Sequence, residues 1–387
     1  MLSERVLTVM RITDIEATPI AVPMEAEIKG SSYQKEYRGT LAVTVRTDED
    51  VVGRVYSGDI LDTELEKADQ LVSFVETDIA DALVGEELFR IEANWETVMR
   101  RSRRLFAYQP GARQLFVHAI GAVDIAMWDA IGKATGKPLY KLWGGYREEL
   151  PIIAIGGYYG DDRTIDDLVD EMVEYEQLGL AGVKLKVGGR TPERDLERLR
   201  AVREAMGEEF FIACDANQGY EIDEALEFAH GAVEYGIEWY EEPVVWHDQY
   251  AGMRTVRQRS PIPVTAGQSE STVEACRRLI EGDAVDVINL DASIAGGPTA
   301  WRKVAAMADA FGLKMAHHEE PHVAMHLLAS VPNGRCVECF HPDFDPIWYD
   351  LVVDRPIVED GVLHLPDEPG IGLELDQDFL EEHALDL

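Results

Sequence analysis

Gly182-Val-Lys-Leu-Lys-Val-Gly188 reads as a short β-strand, with apolar and β-branched residues held between two glycines. Residues i and i+2 of a strand share a face, so Lys184 and Lys186 point to the same side. The pair stands out because the chain has ten lysines against 26 arginines, and the next lysine after it is Lys303. Solvated strand edges also collect lysine. On a common face, two ammonium groups repel, and each is expected to lower the other's pKa toward that of a usable general base.

The same kind of apolar run recurs on both sides of this stretch. Runs at 151–158, 182–187, 210–215, 237–242, 262–267, 285–291, 313–318 and 336–340 each lead into a polar turn. Their starts lie roughly 23 to 31 residues apart, the length of one β-turn-α-turn unit. Stretches 165–178, 192–206 and 222–235 carry apolar residues at helical spacing. Eight units in order predict a (β/α)8-type barrel. Upstream, 12–22 and 40–55 alternate like antiparallel strands, with Thr47-Asp-Glu-Asp50 as a turn, and helical patterns follow over 63–137. The expected organisation is an N-terminal α+β domain over 1–145, the barrel over 146–342, and a Pro-, Asp- and Gly-rich segment over 343–387 that returns to the N-terminal domain. Residues 1–9 read as a loose extension.

Composition excludes several classes. The formal net charge is −37, from 73 acidic and 36 basic residues. Nucleic-acid phosphates would be repelled, so no nucleic-acid partner is expected. The acids are scattered and not gathered in a tail, which argues against disorder. Excess carboxylate with scarce lysine suits concentrated salt, where at about 1 M the Debye length of roughly 3 Å screens self-repulsion. Cys214, Cys276, Cys336 and Cys339 form no paired zinc pattern and read as core thiols in a reducing compartment. No leader-like stretch and no apolar run approaching 18 residues is evident, so a soluble cytoplasmic protein with no membrane partner is expected.

Barrel enzymes assemble their chemistry at the carboxyl ends of the strands. Those ends read Lys184 and Lys186; Asp215-Ala-Asn217; Glu241-Glu242-Pro243; Gln268-Ser-Glu270; Asp291; His317-His318-Glu319; and Glu338. One acid after a strand often caps the next helix, but carboxylates at successive strand ends need a cation to stay ionised. Oxygen ligands with no thiolate favour Mg2+. His318-Glu-Glu-Pro-His322 matches the H-E-x-x-H zinc pattern, yet Pro321 starts a helix between the two histidines, so a zinc hydrolase is disfavoured. His326 reads as a core-facing helix residue, and His317 as a packed neighbour pointing away from His318.

Together these residues resemble the enolase superfamily, specifically its mandelate racemase subgroup. The resemblance rests on Lys184-x-Lys186, Asp215-Ala-Asn217, Glu241-Glu242-Pro243, Asp291 with Gly296-Gly297, His318 and Glu338. Ala122-Val-Asp-Ile-Ala-Met-Trp-Asp129, Gly136-Lys-Pro138 and Gly144-Gly145 add to it. It runs from about residue 11 to the end. It implies that the N-terminal domain caps the barrel mouth. It implies Asp215 and Glu241 as magnesium ligands, Lys186 as base with Lys184 contacting the substrate carboxylate, and Asp291–His318 as an acid/base pair opposite. Asn217 and Glu338 are expected at the substrate. Where the family has a third acid, this chain has Gln268, with Glu270 as the alternative ligand. The cap loop over 25–37, with Lys29, Ser31, Ser32, Tyr33 and Lys35, is expected to line the pocket, and Tyr158 and Tyr159 to reach it.

The resemblance implies proton abstraction next to a carboxylate, with dehydration of a sugar acid to a 2-keto-3-deoxy acid as the expected reaction. Racemisation or epimerisation of a 2-hydroxy acid is the alternative on the same site, and a non-catalytic binding relative the alternative of another class. Cycloisomerisation or epimerisation through a strand-six lysine is disfavoured, because no lysine lies between 187 and 302. A homo-oligomer is expected from the resemblance.

Overall fold

The computed structural model describes residues 9–30, 33–62, 64–108, 110–160, 162–245 and 250–387. Ser31, Ser32 and the extension up to residue 8 lie outside these residues. The described chain opens with an antiparallel meander: β1 (Ile12–Lys29), β2 (Gln34–Thr47) and β3 (Val52–Ser57). The turn between β2 and β3 falls at Thr47–Val51, where the Val51 N–H donates to Thr47 Oγ1 at 3.1 Å. Asp50 takes a left-handed φ of 59°, a conformation Asp tolerates in turns. Strand β1 runs seven residues past the expected end at Val22, with a register shift between Pro23 and Ile28 that carries its tip over the barrel. Ile28 there packs with Ile155, Tyr158 and Phe340 of the barrel.

Of helices Ile91–Tyr108 and Pro110–Thr135, the second packs on β2 and β3 of the meander and the first packs against the second. The second is long and apolar enough to cross a bilayer, against the expectation of no apolar run approaching 18 residues. Its apolar span is wholly buried inside the protein, and a helix buried on every side is apolar all round. It lies so close to β3 that a Cβ on Gly53 would sit 2.0 Å from the Ala126 carbonyl oxygen.

All eight expected barrel strands form: β4 (Glu149–Gly156), β5 (Gly182–Lys186), β6 (Phe211–Asp215), β7 (Tyr240–Glu241), β8 (Val264–Ala266), β9 (Val287–Ile288), β10 (Lys314–Met315) and β11 (Val337–Cys339). Each pairs in parallel with the next from β4 to β10, and β11 pairs with β4. The ring closes where the Met315 N–H donates to Asn333 O and the Arg335 N–H to Met315 O, both at 2.9 Å. The protein is thus a (β/α)8-type barrel joined to an α+β domain. Helix starts follow local chemistry: Thr164 and Asp167 form a capping box on helix Ile165–Gln177, and Pro192 opens helix Pro192–Met206.

The C-terminal segment takes a longer route than its composition indicates. It first forms the hairpin β12 (Val358–Glu359) and β13 (Val362–His364), and β13 pairs antiparallel with the start of β4. Beyond the hairpin it runs back along the N-terminal domain, which Asp345 has already met through Arg38, and there the Ile371 N–H donates to Asp129 and the Leu385 N–H to Pro19 O, each at 2.9 Å.

Candidate active site

Parallel register decides which strand-end residues meet. Lys186 is in register with Asp215, and Asp215 with Glu241, so three charged residues stand level on β5, β6 and β7. Lys186 Nζ donates to Asp215 Oδ2 at 2.6 Å and to Asn217 Oδ1 at 2.9 Å. Lys184 Nζ donates to Glu338 Oε2 at 2.7 Å and to Glu241 Oε1 at 3.0 Å. Both lysines are buried. The expected lowering of their pKa does not occur in this state. Burial works against each charge, and the two ammonium groups repel, but Asp215 outweighs this at Lys186, and Glu241 with Glu338 at Lys184. Both pKa values therefore lie above the ordinary lysine value. Pairwise repulsion was the smaller effect, because each lysine has an anion at hydrogen-bond distance.

On the carboxylate side, burial raises the Asp215 pKa, yet Lys186 and Lys184 bring it below its ordinary value. Burial beside Asp215 pushes Glu241 up to about 7 despite Lys184. Trp239 Nε1–H steadies the second Glu241 oxygen at 3.1 Å. Glu242 is buried too, and desolvation next to Asp215 and Glu241 holds its pKa well above the usual range.

Across the ring, His318 Nδ1 lies 3.4 Å from Asp291 Oδ2, and His318 Nε2 lies 3.4 Å from Glu319 Oε1. Burial disfavours the imidazolium, but Glu319 and Asp291 outweigh burial and push its pKa up to about 9. The other Asp291 oxygen accepts from the Ser293 N–H (2.8 Å) and hydroxyl (2.7 Å), which fixes the carboxylate. His317 is buried and ties the two loops together: its Nδ1–H donates to His318 O at 2.9 Å, and its Nε2 accepts from the Ala292 N–H at 3.0 Å. Glu338 Oε2 also accepts from the Glu319 N–H at 3.2 Å, while Oε1 has no hydrogen-bond partner.

Lys186, Asn217, Gln268 and His318 border one cavity of about 250 Å3, closed from the cap side by Tyr33, Lys35 and Asp59. The rings of Tyr33 and Tyr158 stand 5.8 and 5.7 Å from Lys186 Nζ. Lys29, Tyr158 and Tyr159, also expected at the pocket, are not among the residues lining it, although the Tyr158 ring stands near Lys186. Tyr159 instead donates its hydroxyl to Asp195 at 2.8 Å and stacks on Arg198. Gln268 reaches the cavity, its Oε1 3.4 Å from Asn289 Nδ2, whereas Glu270 accepts the Tyr250 hydroxyl at 2.8 Å. His322 stands on helix Pro321–Ser330 and donates to Tyr56 O at 2.9 Å, apart from the strand-end His318.

No sequence pattern assigned a role to Arg38, Asp59 or Glu319, although Glu319 stands in the strand-end run His317-His318-Glu319. Buried Arg38, on β2 of the cap, donates to Asp62 (2.7 Å), Glu319 (3.2 Å) and Asp345 (3.4 Å). Glu319 and Asp345 lie 281 and 307 residues away along the chain, so no local pattern marks them. A trace of the site does exist in the backbone. Asn217, Gln218, Glu242, Glu319 and Glu320 all take positive φ at strand ends, and strained non-glycine residues gather where a site over-determines them.

Among the described residues, no three His, Cys, Asp or Glu side chains converge as a metal cage. The ring offers two carboxylates and a carboxamide, Asp215, Glu241 and Gln268, on successive strands, a hard-oxygen set that suits a divalent cation. The charge balance agrees. Three buried carboxylates, Asp215, Glu241 and Glu338, share the two ammonium groups of Lys184 and Lys186, and Glu338 Oε1, which has no hydrogen-bond partner among the described residues, marks unmet acceptor capacity.

Residues 12–144 match the family model for the mandelate racemase / muconate lactonizing enzyme N-terminal domain, and residues 167–379 the enolase C-terminal domain-like model. The chain belongs to the mandelate racemase/muconate lactonizing enzyme family. Within this branch of the enolase superfamily, a family member from a marine actinobacterium, solved in complex with magnesium, is 42% identical. It superposes with a TM-score of 0.89 over 97% of this chain and 100% of that one. The arabinonate dehydratase of Saccharolobus solfataricus is 28% identical over 346 residues, 84% of this chain and 90% of its own length. The D-galactarolactone cycloisomerase of Agrobacterium fabrum is 29% identical over 390 residues, 97% and 99% of the two chains.

Proposed function

We propose that this enzyme is a magnesium-dependent acid-sugar dehydratase, which removes the proton next to a carboxylate and expels the neighbouring hydroxyl as water. The observation that carries this reading is the placement of Lys186 and His318 on one cavity with a carboxylate ring between β6 and β7. The proton next to a carboxylate is weakly acidic, so its removal requires the resulting enediolate to be stabilised. A divalent cation on Asp215, Glu241 and Gln268 would supply that positive charge and take up the carboxylate that now holds Lys186 protonated. Lys184 and Glu338 flank the same ring, and once a cation takes up Glu241, Lys184 would have a donor to offer the substrate carboxylate.

The step balances within the chain's own residues. The Cα proton passes to the Lys186 amine, the Cβ–O bond breaks, and the His318 imidazolium gives its proton to the departing hydroxyl. Water leaves, and the enol tautomerises to a 2-keto-3-deoxy acid. The raised pKa of His318 suits this role, since the imidazole carries its proton at neutral pH.

Incubation with magnesium and a panel of sugar acids, with Lys186→Ala and His318→Ala as controls, tests the reading. A keto acid that disappears in both variants is expected. Solvent-deuterium exchange at Cα without keto acid would move the assignment to a racemase or epimerase. A lactone formed or opened without net loss of water would move it to the cycloisomerase chemistry named for the Agrobacterium relative. Neither keto acid nor exchange from any sugar acid would leave only a binding role.

A further inference from the structure

One wall of the cavity is built by Lys35 and Asp59 of the cap and by Glu319, the residue after His318. Lys35 is the cation that the cap brings to it, and its Nζ is already committed to Asp62 at 2.9 Å and Asp59 at 3.3 Å. Arg38, behind the wall, is spent on Asp62, Glu319 and Asp345. The carboxylates that border the cavity here are Asp59, which shares Lys35 with Asp62, and Glu319, which shares Arg38 with Asp62 and Asp345 and lies 3.4 Å from His318 Nε2. Burial disfavours both charges, yet Lys35 and His318 together keep both pKa values below the ordinary range, so both groups are anionic at neutral pH.

We propose that this wall selects monocarboxylic sugar acids, whose far end is a neutral hydroxymethyl or hydroxyl group, over dicarboxylic ones. The inference rests on the dehydratase reading above and narrows its substrate class. A polyol end donates hydrogen bonds to Asp59 and Glu319 and accepts one from Lys35, satisfying all three. A second substrate carboxylate has no donor to offer the two anions and meets a lysine whose charge is already balanced. Like charges brought together in a partly desolvated site reject that ligand, and discrimination by an unpaired charge is a recognised route to specificity. The related proteins leave this point open, because their names include both an arabinonate and a galactarate enzyme.

Matched pairs that differ only at the far end test the proposal: D-gluconate with D-glucarate, D-galactonate with galactarate, and L-arabinonate with its dicarboxylic counterpart. Binding to the magnesium-loaded protein is measured by calorimetry and turnover by keto-acid release. At least one monocarboxylate should bind and react ten-fold or more better than its partner. Asp59→Asn should narrow that ratio several-fold, mainly by tightening the dicarboxylate. If Asp59→Asn fails to fold, Glu319→Gln read by calorimetry alone serves the same purpose. A dicarboxylate bound or turned over equally well or better overturns the selectivity while leaving the dehydratase reading intact. Absence of binding and of keto acid across all pairs overturns both.

Discussion

His318 carries two carboxylate neighbours, and its titration has consequences that can be worked out with sign. Its pKa lies near 9 in the folded protein, against about 6.5 for an unperturbed histidine. A group whose folded pKa is raised adds stability that is fully present below about 6.5 and is lost as pH rises through about 9. Urea unfolding of chelated protein should therefore show His318→Asn less stable than wild type at pH 6, by on the order of 1–3 kcal/mol. The gap should close by about pH 10, and a constant gap across that range would refute the assignment. Activity that needs the imidazolium should fall over the same window. His317 acts by a different route, through its bonds to His318 O and the Ala292 N–H, which tie the loop after Asp291 to the loop of His318. Gln268 makes a further prediction: Gln268→Glu adds a third carboxylate to the ring, so calorimetry should find magnesium bound about ten-fold more tightly. Unchanged affinity would place Gln268 outside the ligand set.

At the scale of elements, helix Pro110–Thr135 is the piece on which the two parts of the molecule meet. Asp124 projects from it to cap a helix of the barrel, accepting from the Thr299 N–H and hydroxyl, both at 2.8 Å. Gly297, which precedes that helix, takes φ 88°, and a Cβ there would sit 2.3 Å from an Asp124 oxygen, so glycine is required on both grounds. Five residues along, Asp129 accepts from the Arg54 N–H on β3 and from the Ile371 N–H of the C-terminal segment, both at 2.9 Å. Asp124→Ala removes the cap across this interface and should cost about 1–2 kcal/mol in denaturant unfolding. Gly53→Ala drives a methyl into the Ala126 carbonyl and should cost about 1–3 kcal/mol, seen as a lower thermal midpoint. Wild-type stability in Gly53→Ala would mean that the helix and β3 separate more readily than their contact indicates.

For the whole molecule, the net charge of −37 is the dominant physical fact. Self-repulsion on that scale opposes compaction and is screened by salt. Thermal midpoints should therefore climb as KCl is raised from about 0.1 M to about 3 M, and a flat or falling curve would remove the case for a salt-adapted protein. The sequence by itself determined the barrel, because eight apolar runs at unit spacing each had to bury a strand, and period and length suffice to read that. It also determined the chemistry at each strand end, since Lys186, Asp215, Glu241, Asp291 and His318 stand in fixed positions after those runs. Only the tertiary structure decided what these groups do to one another. Register set Lys186 against Asp215 and reversed the direction expected for the lysine pKa values, because an anion at hydrogen-bond distance outweighs a second cation. The cap wall was legible only in part: Tyr33 and Lys35 were expected at the pocket, but Arg38 of the cap meets Glu319 281 residues away, and no periodicity links residues that meet only after the chain has folded.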